Sequence, residues 1–228
     1  MEAVVLAGGL GTRLRQVVPD LPKPMAPIAG KPFLEILLRA LARKGFGRVV
    51  LSLGFMSETI VNHFGLRFAG MDLAYDIESS PLGTGGAIRH AMSKCLQDHV
   101  FVFNGDTYLD LEVPALEAQW QSHRRPIVVA REVEDTSRYG RLDIADGQLI
   151  KFAEKSVGGY GVINAGCYVF PCNVFSGGPL HFPFSIENDF LAHQVSIQHI
   201  DVFISQGQFI DIGIPADYAR AQTQLAGL

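Results

Sequence analysis

The sequence predicts an α/β fold: a mostly parallel central sheet flanked by helices, with a smaller lobe of mixed β-structure built onto it. Three observations carry that prediction. Short apolar runs, broken only by Ser52, recur at residues 3–6, 49–53, 100–103 and 127–130, as strands buried on both faces require. Helical spacing of apolar residues fills the intervals between several of them. After about residue 135 the texture changes to short strands and turn signals.

Ala3-Val4-Val5-Leu6 opens the chain as its first strand. Pro32 suits a first helical turn, and Leu34, Leu37, Leu38 and Leu41 follow it at i, i+3, i+4 and i+7. Residues 49–53 are the next strand. Ile88, Ala91, Met92 and Cys95 repeat the helical pattern before strand 100–103. Val113, Leu116 and Trp120 repeat it before strand 127–130. Strands and helices in alternation, joined by right-handed crossovers, give a Rossmann-like arrangement. Arg141–Ala145 and Gln148–Ala153 then flank Asp146-Gly147, a two-residue hairpin signal. Residues 162–170, 197–203 and 208–212 read as further strands. Residues 185–189 read as a helix start with Ser185 as N-cap rather than as a substrate site. Tyr218, Ala221, Gln222 and Leu225 suggest a closing helix. No repeat or long linker divides the chain, so residues 1–228 are expected to form one domain with parts 1–135 and 136–228.

Bulk properties exclude several functions. The net charge is 19 − 23 = −4 with no basic block, so no nucleic-acid partner is expected. No apolar run approaches the roughly 20 residues that span a bilayer, so no membrane association is expected. Glu2 stands where a signal peptide would be basic, and Gly8 ends the apolar run early. Three cysteines without a CxxC pair suit a reducing compartment, so a cytoplasmic location is expected. Nothing in the sequence fixes an oligomeric state; a homodimer is compatible with it. The seven histidines form no ligand cluster.

The chemistry starts at Gly8-Gly9-Leu10-Gly11-Thr12-Arg13-Leu14, directly after the first strand. A dinucleotide fingerprint would need glycine where Leu14 stands, and no GK[ST] closes a Walker loop. Glycines still let backbone N–H groups converge on phosphate oxygens, and Arg13 adds a planar fork. Pro22 and Pro24 restrict the backbone around Lys23, so its ammonium can be aimed.

"GGLGTRL" followed by "PKPM" resembles the sugar-phosphate nucleotidylyltransferases, also called sugar-nucleotide pyrophosphorylases. These enzymes join an NTP to a sugar 1-phosphate and release pyrophosphate. Further landmarks follow in the family's order: Glu78 with "PLGTGGA" (81–87), "NGD" (104–106), "YGR" (139–141), "EK" (154–155), "NAG" (164–166) and "FIDIGIP" (209–215). The resemblance runs from residue 2 to about 220. It is nearest to the branch that uses GTP and a heptose 1-phosphate to supply bacterial surface polysaccharide. The thymidylyl branch usually has proline shortly after GTRL, where this chain has Arg15-Gln16-Val17. The resemblance implies that Leu6, Ala7, Gly8, Gly9, Gly11, Thr12, Arg13, Glu78, Pro81, Gly83, Thr84 and Asn104 bind the nucleotide. Gly140, Glu154, Lys155 and Asn164 would bind the sugar phosphate. Arg13, Lys23, Asp106 and Asp211 would be catalytic.

Asp106 and Asp211 stand at or just beyond the ends of predicted strands, where open α/β sheets bind ligands. Two carboxylates suit Mg²⁺, which also takes phosphate oxygens and water. The expected reaction is in-line attack by a phosphate oxygen of the sugar 1-phosphate on the α-phosphorus. A phosphomonoester has its second pKa near ~6 and needs no general base at neutral pH. Glu78 favours GTP, because a carboxylate only accepts hydrogen bonds and guanine offers adjacent N1–H and N2–H donors. Other readings stay open: a mannose-1-phosphate guanylyltransferase, a hexose-1-phosphate uridylyl- or thymidylyltransferase, or a catalytically silent subunit that only binds a sugar nucleotide.

Overall fold

The computed structural model describes residues 1–9, 11–14, 17–153, 158–177 and 181–228. The first apolar run is β1 (Glu2–Leu6). A short ribbon, β2 (Pro27–Ile28) and β3 (Lys31–Pro32), precedes α1 (Phe33–Arg43), which buries Leu34, Leu37, Leu38 and Leu41 as their spacing predicts. Then come β4 (Arg48–Leu53), α2 (Ser57–Phe64), β5 (Arg67–Phe68), β6 (Met71–Ile77) and α3 (Gly83–Met92). β7 (His99–Asn104), β8 (Thr107–Leu109), α4 (Val113–His123) and β9 (Ile127–Val133) complete the first part. The second contains the hairpin β10 (Arg141–Ala145) and β11 (Gln148–Ala153), and the long β12 (Gly161–Pro171). A π-helix (Ile186–Leu191) runs into α5 (Ala192–Gln194). β13 (Asp201–Ile204), β14 (Phe209–Asp211) and α6 (Pro215–Gln224) end the chain.

Both parts share one ten-stranded sheet in the order β10-β11-β13-β9-β12-β7-β1-β4-β6-β5. Strands β7, β1, β4 and β6 are mutually parallel. β12 enters antiparallel between β7 and β9, and the hairpin adds the mixed edge expected of the second part. Alternation along the central strands divides the core. Ala3, Val5, Val49, Leu51 and Phe101 pack with α1, α2 and α4; Val4, Val50, Val100 and Val102 pack with α3 and the π-helix. A third cluster joins Tyr108, Ile210 and Ile212 to Phe33, Ile36, Ala221 and Leu225, fixing α6 against the β8–β14 ribbon. Among the described residues no helix is long and apolar enough to cross a membrane.

Several predicted bounds shift. The strand expected at 197–203 begins only at Asp201, because Ile197 and Gln198 donate backbone hydrogen bonds back to Gln194 at 2.9 Å. The strand expected at 208–212 is Phe209–Asp211. Cys95 lies beyond α3, in a turn closed onto Met92. α2 and β6 carry no strong sequence signal. α2 lacks a side-chain cap and follows Met56 at φ 54°, while β6 interleaves Asp72 and Asp76 among its apolar residues.

Gly83 shows why the 81–87 stretch is glycine-rich. Its φ is +73°, and a Cβ there would lie 2.4 Å from the Phe184 carbonyl oxygen. This close approach seats α3 on the segment leading into the π-helix, where Gly85 N–H donates to Phe184 O at 3.0 Å. Gly83→Ala adds left-handed strain and a backbone clash, together costing about 2–4 kcal/mol. The expected Tm loss is on the order of 5–15 °C, measurable by calorimetry. An unchanged Tm would mean that this approach does not hold α3 in place.

Candidate active site

Strands β1, β4, β6 and β7 present their carboxyl ends at one edge. The chain turns from β1 to β4 on one side and later to β7 on the other, which makes β1 the switch point where such sheets open a crevice. A cavity of about 510 Å³ lies there. Its walls come from the residues that follow each strand: Ala7, Gly8 and Gly9; Gly54 and Phe55; Glu78, Ser79, Ser80 and Pro81; Asn104, Gly105 and Asp106. The start of α3 adds Gly83, Thr84 and Ala87, and Lys23 and Pro24 close one side. Gly8 allows the loops after β1 and β4 to touch, since a Cβ on it would stand 2.9 Å from Gly54 N. Glu78 accepts the Leu82 N–H on Oε2 at 3.1 Å, and its Oε1 lies beside Gly8. Burial pushes the Glu78 carboxyl up from its ordinary value. The Leu82 amide and His90 oppose that shift, and the Asp76 charge adds to it.

The two candidate metal carboxylates converge through the β8–β14 ribbon. Asp106 immediately precedes β8, Asp211 pairs opposite Thr107, and the Ile212 N–H donates to the Asp106 carbonyl at 2.9 Å. Lys23 Nζ contacts Asp106 Oδ2 at 2.5 Å. Gly213 N–H donates to Asp211 Oδ1 at 2.6 Å. Burial and the neighbouring Asp106 charge raise the Asp211 carboxyl above the usual range, against the lowering effect of Lys23 and of the Gly213 amide. Among the described residues no group of three or more His, Cys, Asp or Glu side chains is placed to hold a metal. Two adjacent carboxylates fit an ion that completes its shell with water and phosphate oxygens, as Mg²⁺ does.

A second cavity of about 600 Å³ adjoins the first, sharing Asn104 and Asp106 with it. Arg13, Arg138, Tyr139, Gly140, Asn164, Glu187, Asn188 and Asp211 are among its walls. Asn164 sits where the β12 register shifts; its Oδ1 accepts the Gly166 N–H at 3.0 Å and its Nδ2 donates to Tyr168 Oη at 2.7 Å. Tyr168 donates in turn to Glu187 Oε1 at 2.8 Å. Glu187 Oε2 accepts the hydroxyls of Ser185 at 3.0 Å and Thr84 at 3.4 Å. A polar chain thus links Thr84 in the first cavity to Asn164 in the second.

Most sequence-predicted residues meet at these cavities. Leu6, Ala7, Gly8, Gly9, Glu78, Pro81, Gly83, Thr84 and Asn104 line the first, and Gly140 and Asn164 the second. Lys23 faces the first, Asp211 the second, and Asp106 both. Three expectations change. Arg13 faces the second cavity rather than the first, while Gly11 and Thr12 line neither. A turn there is closed by the Leu14 N–H on the Gly11 carbonyl at 2.9 Å, and Leu14 is buried in the core. Glu154 and Lys155 lie outside the described residues. Ser185 is the N-cap expected, accepting the Asn188 N–H at 3.2 Å, yet Glu187 and Asn188 also line the second cavity. Arg138 and Glu187, on the wall of the second cavity, and the buried Tyr168 that joins Asn164 to Glu187 were not singled out from the sequence. The position of Arg138 immediately before "YGR" was the one available signal.

Residues 2–226 match the family described as Nucleotidyl transferase. The chain is 41% identical to D-glycero-alpha-D-manno-heptose 1-phosphate guanylyltransferase of Aneurinibacillus thermoaerophilus, over 99% of this chain and 98% of that one. It is 37% identical to the protein of the same name from Campylobacter jejuni, over 96% and 97%. The crystal structure of HddC from Yersinia pseudotuberculosis complexed with GMP-PN superposes with a TM-score of 0.85 at 38% identity, covering 97% of each chain. With a family match spanning nearly its whole length and two relatives above 30% identity, the chain belongs to the nucleotidyl transferase family.

Proposed function

We propose that this protein transfers the guanylyl group of GTP to a sugar 1-phosphate, with D-glycero-α-D-manno-heptose 1-phosphate as that substrate, and releases pyrophosphate. The observation that carries the reading is the pair of adjoining cavities that share Asn104 and Asp106. Two substrates, one in each, would meet at the carboxylates. The names of the relatives supply the base and the sugar.

GTP enters the first cavity with its base toward Glu78 and its phosphates toward Lys23 and Asp106. The sugar 1-phosphate enters the second. One of its phosphate oxygens attacks the α-phosphorus; that P–O bond forms as the bond to the β-phosphate oxygen breaks, and pyrophosphate carries the electron pair away. The nucleophile is already an anion at neutral pH, so no side chain has to take a proton. The obstacle is repulsion between anions. Lys23 and Arg13 lower it from opposite sides of Asp106, and the cavity walls hold the reacting atoms in line. Asp106 and Asp211 would hold Mg²⁺, which when bound supplies further neutralisation of phosphate charge. The product, GDP-heptose, would be a cytoplasmic donor for surface polysaccharide.

A substrate matrix tests the reading. Initial rates of pyrophosphate release are measured for GTP, ATP, UTP and dTTP against heptose, mannose and glucose 1-phosphates. GTP with the heptose 1-phosphate is expected to give the highest kcat/KM, exceeding UTP by roughly 10²-fold or more, since hydrogen-bonded sites discriminate at this scale. A preference for UTP or dTTP with glucose 1-phosphate would overturn both assignments.

A further inference from the structure

Asp217, in the first turn of α6, is buried, and both of its oxygens are held by guanidinium groups. Arg138 donates to Oδ2, and Arg220 Nη1 donates to Oδ1 at 2.8 Å. The two arginines differ in one respect: Arg138 lines the second cavity and Arg220 does not. Arg138 is also braced by an aromatic ring, its guanidinium carbon lying 5.4 Å from the Tyr139 centroid. A buried carboxylate and a ring face therefore fix this cation in place. A planar guanidinium with donors left beyond its carboxylate partner suits a phosphate group.

The charges in that cavity make a fixed cation necessary if a phosphate is to enter. Asp106, Asp211 and Glu187 are anionic side chains on its walls, and a phosphomonoester entering it is mostly a dianion. Among the described lining residues the cations are Arg13 and Arg138. We propose that Arg138 binds the phosphate of the sugar 1-phosphate, with Asp217 as the residue that positions it. This role rests on the reading of the second cavity as the sugar 1-phosphate site.

Arg220→Ala is the internal control, because it takes the other guanidinium from the same buried carboxylate without touching the cavity wall. Steady-state kinetics with Mg²⁺ and GTP, and the Tm, are measured for wild type, Arg138→Ala, Arg138→Lys and Arg220→Ala. Arg138→Ala raises the KM for the sugar 1-phosphate by about 10- to 100-fold, the range for a lost charge-assisted hydrogen bond, and leaves the KM for GTP unchanged. Arg138→Lys recovers part of the loss, since it restores charge without the fork. Free guanidinium ion partly rescues Arg138→Ala, which a purely structural role would not allow. Arg220→Ala leaves both KM values unchanged. Equal effects of Arg138→Ala and Arg220→Ala, or a rise confined to the KM for GTP, overturn the assignment. Absence of turnover with every sugar 1-phosphate in wild type would count against the cavity reading instead. Calorimetric titration with inorganic phosphate then decides Arg138 directly: binding that is weakest in Arg138→Ala, intermediate in Arg138→Lys and unchanged in Arg220→Ala supports it, and equal binding in all four proteins overturns it.

Discussion

Asp211→Asn is expected to lower kcat by roughly 10³-fold or more while raising the Tm. The first effect follows from the proposed metal site it shares with Asp106: removing one of two such carboxylates would forfeit several kcal/mol of charge stabilisation, and about 1.4 kcal/mol is tenfold in rate. The second follows from its burial. Its carboxyl is held above the ordinary range in the fold, chiefly by desolvation and then by the Asp106 charge. A group whose folded pKa is raised contributes stability that is fully present below its unfolded pKa and is lost as pH rises through the folded pKa. Wherever Asp211 is ionised it is therefore a net cost to the fold. Asn keeps an oxygen for the Gly213 N–H and carries no charge. Each kcal/mol relieved is worth about 2–4 °C in a chain of this size. The Tm is measured in metal-free buffer, so that lost metal binding does not mask the gain. Normal Mg²⁺-dependent turnover in the variant would remove Asp211 from the reaction. A lower Tm would mean that its ion-pair environment outweighs its desolvation.

Glu78→Gln is expected to lower kcat/KM for GTP by roughly 10²-fold or more and to relax exclusion of UTP and dTTP. The Leu82 N–H decides how the new amide sits. It donates to Oε2 in the native chain, so the amide must turn its oxygen toward Leu82 and its NH₂ toward the cavity. Guanine N–H donors would then meet a donor, whereas a ring carbonyl of uracil or thymine would meet a partner. Glu78 also has a pH signature. Burial raises its carboxyl, so the acceptor is lost as pH falls through that raised value, and the KM for GTP should climb there while that for a sugar 1-phosphate does not. Unchanged nucleotide ratios in the variant would mean that the base is read elsewhere, for instance by backbone groups of the 81–87 loop.

The parts of the molecule legible in its sequence are those set by local rules. Apolar runs marked β1, β4, β7 and β9 because strands buried on both faces leave no room for polar alternation. Asp146-Gly147 marked the β10–β11 turn because both residues take positive φ, 51° and 73°. The amphipathic β6 was not legible, since its polar residues break the run. The site divides in the same way. Lys23, Asp106 and Asp211 stood out by motif, but the β8–β14 ribbon that brings the two carboxylates together is separate from the central sheet, and its pairing carried no sequence signal. Tyr168 did not stand out: in sequence it is one more aromatic in an apolar strand. Only the fold brings its hydroxyl between Asn164 and Glu187. Arg138 had only its place before "YGR" to mark it, because the carboxylate that holds it arrives from α6, 79 residues later.

Transfer of a guanylyl group between two substrates at Asp106 and Asp211 is measured most directly with a labelled nucleotide. The protein is incubated with Mg²⁺, D-glycero-α-D-manno-heptose 1-phosphate and GTP labelled at the α-phosphate, and the products are separated. The label is expected in a GDP-sugar, matched mole for mole by released pyrophosphate, and Asp211→Asn should leave it in GTP. Label that stays in GTP bound to the wild-type protein, or that appears as free GMP or GDP, would contradict the account.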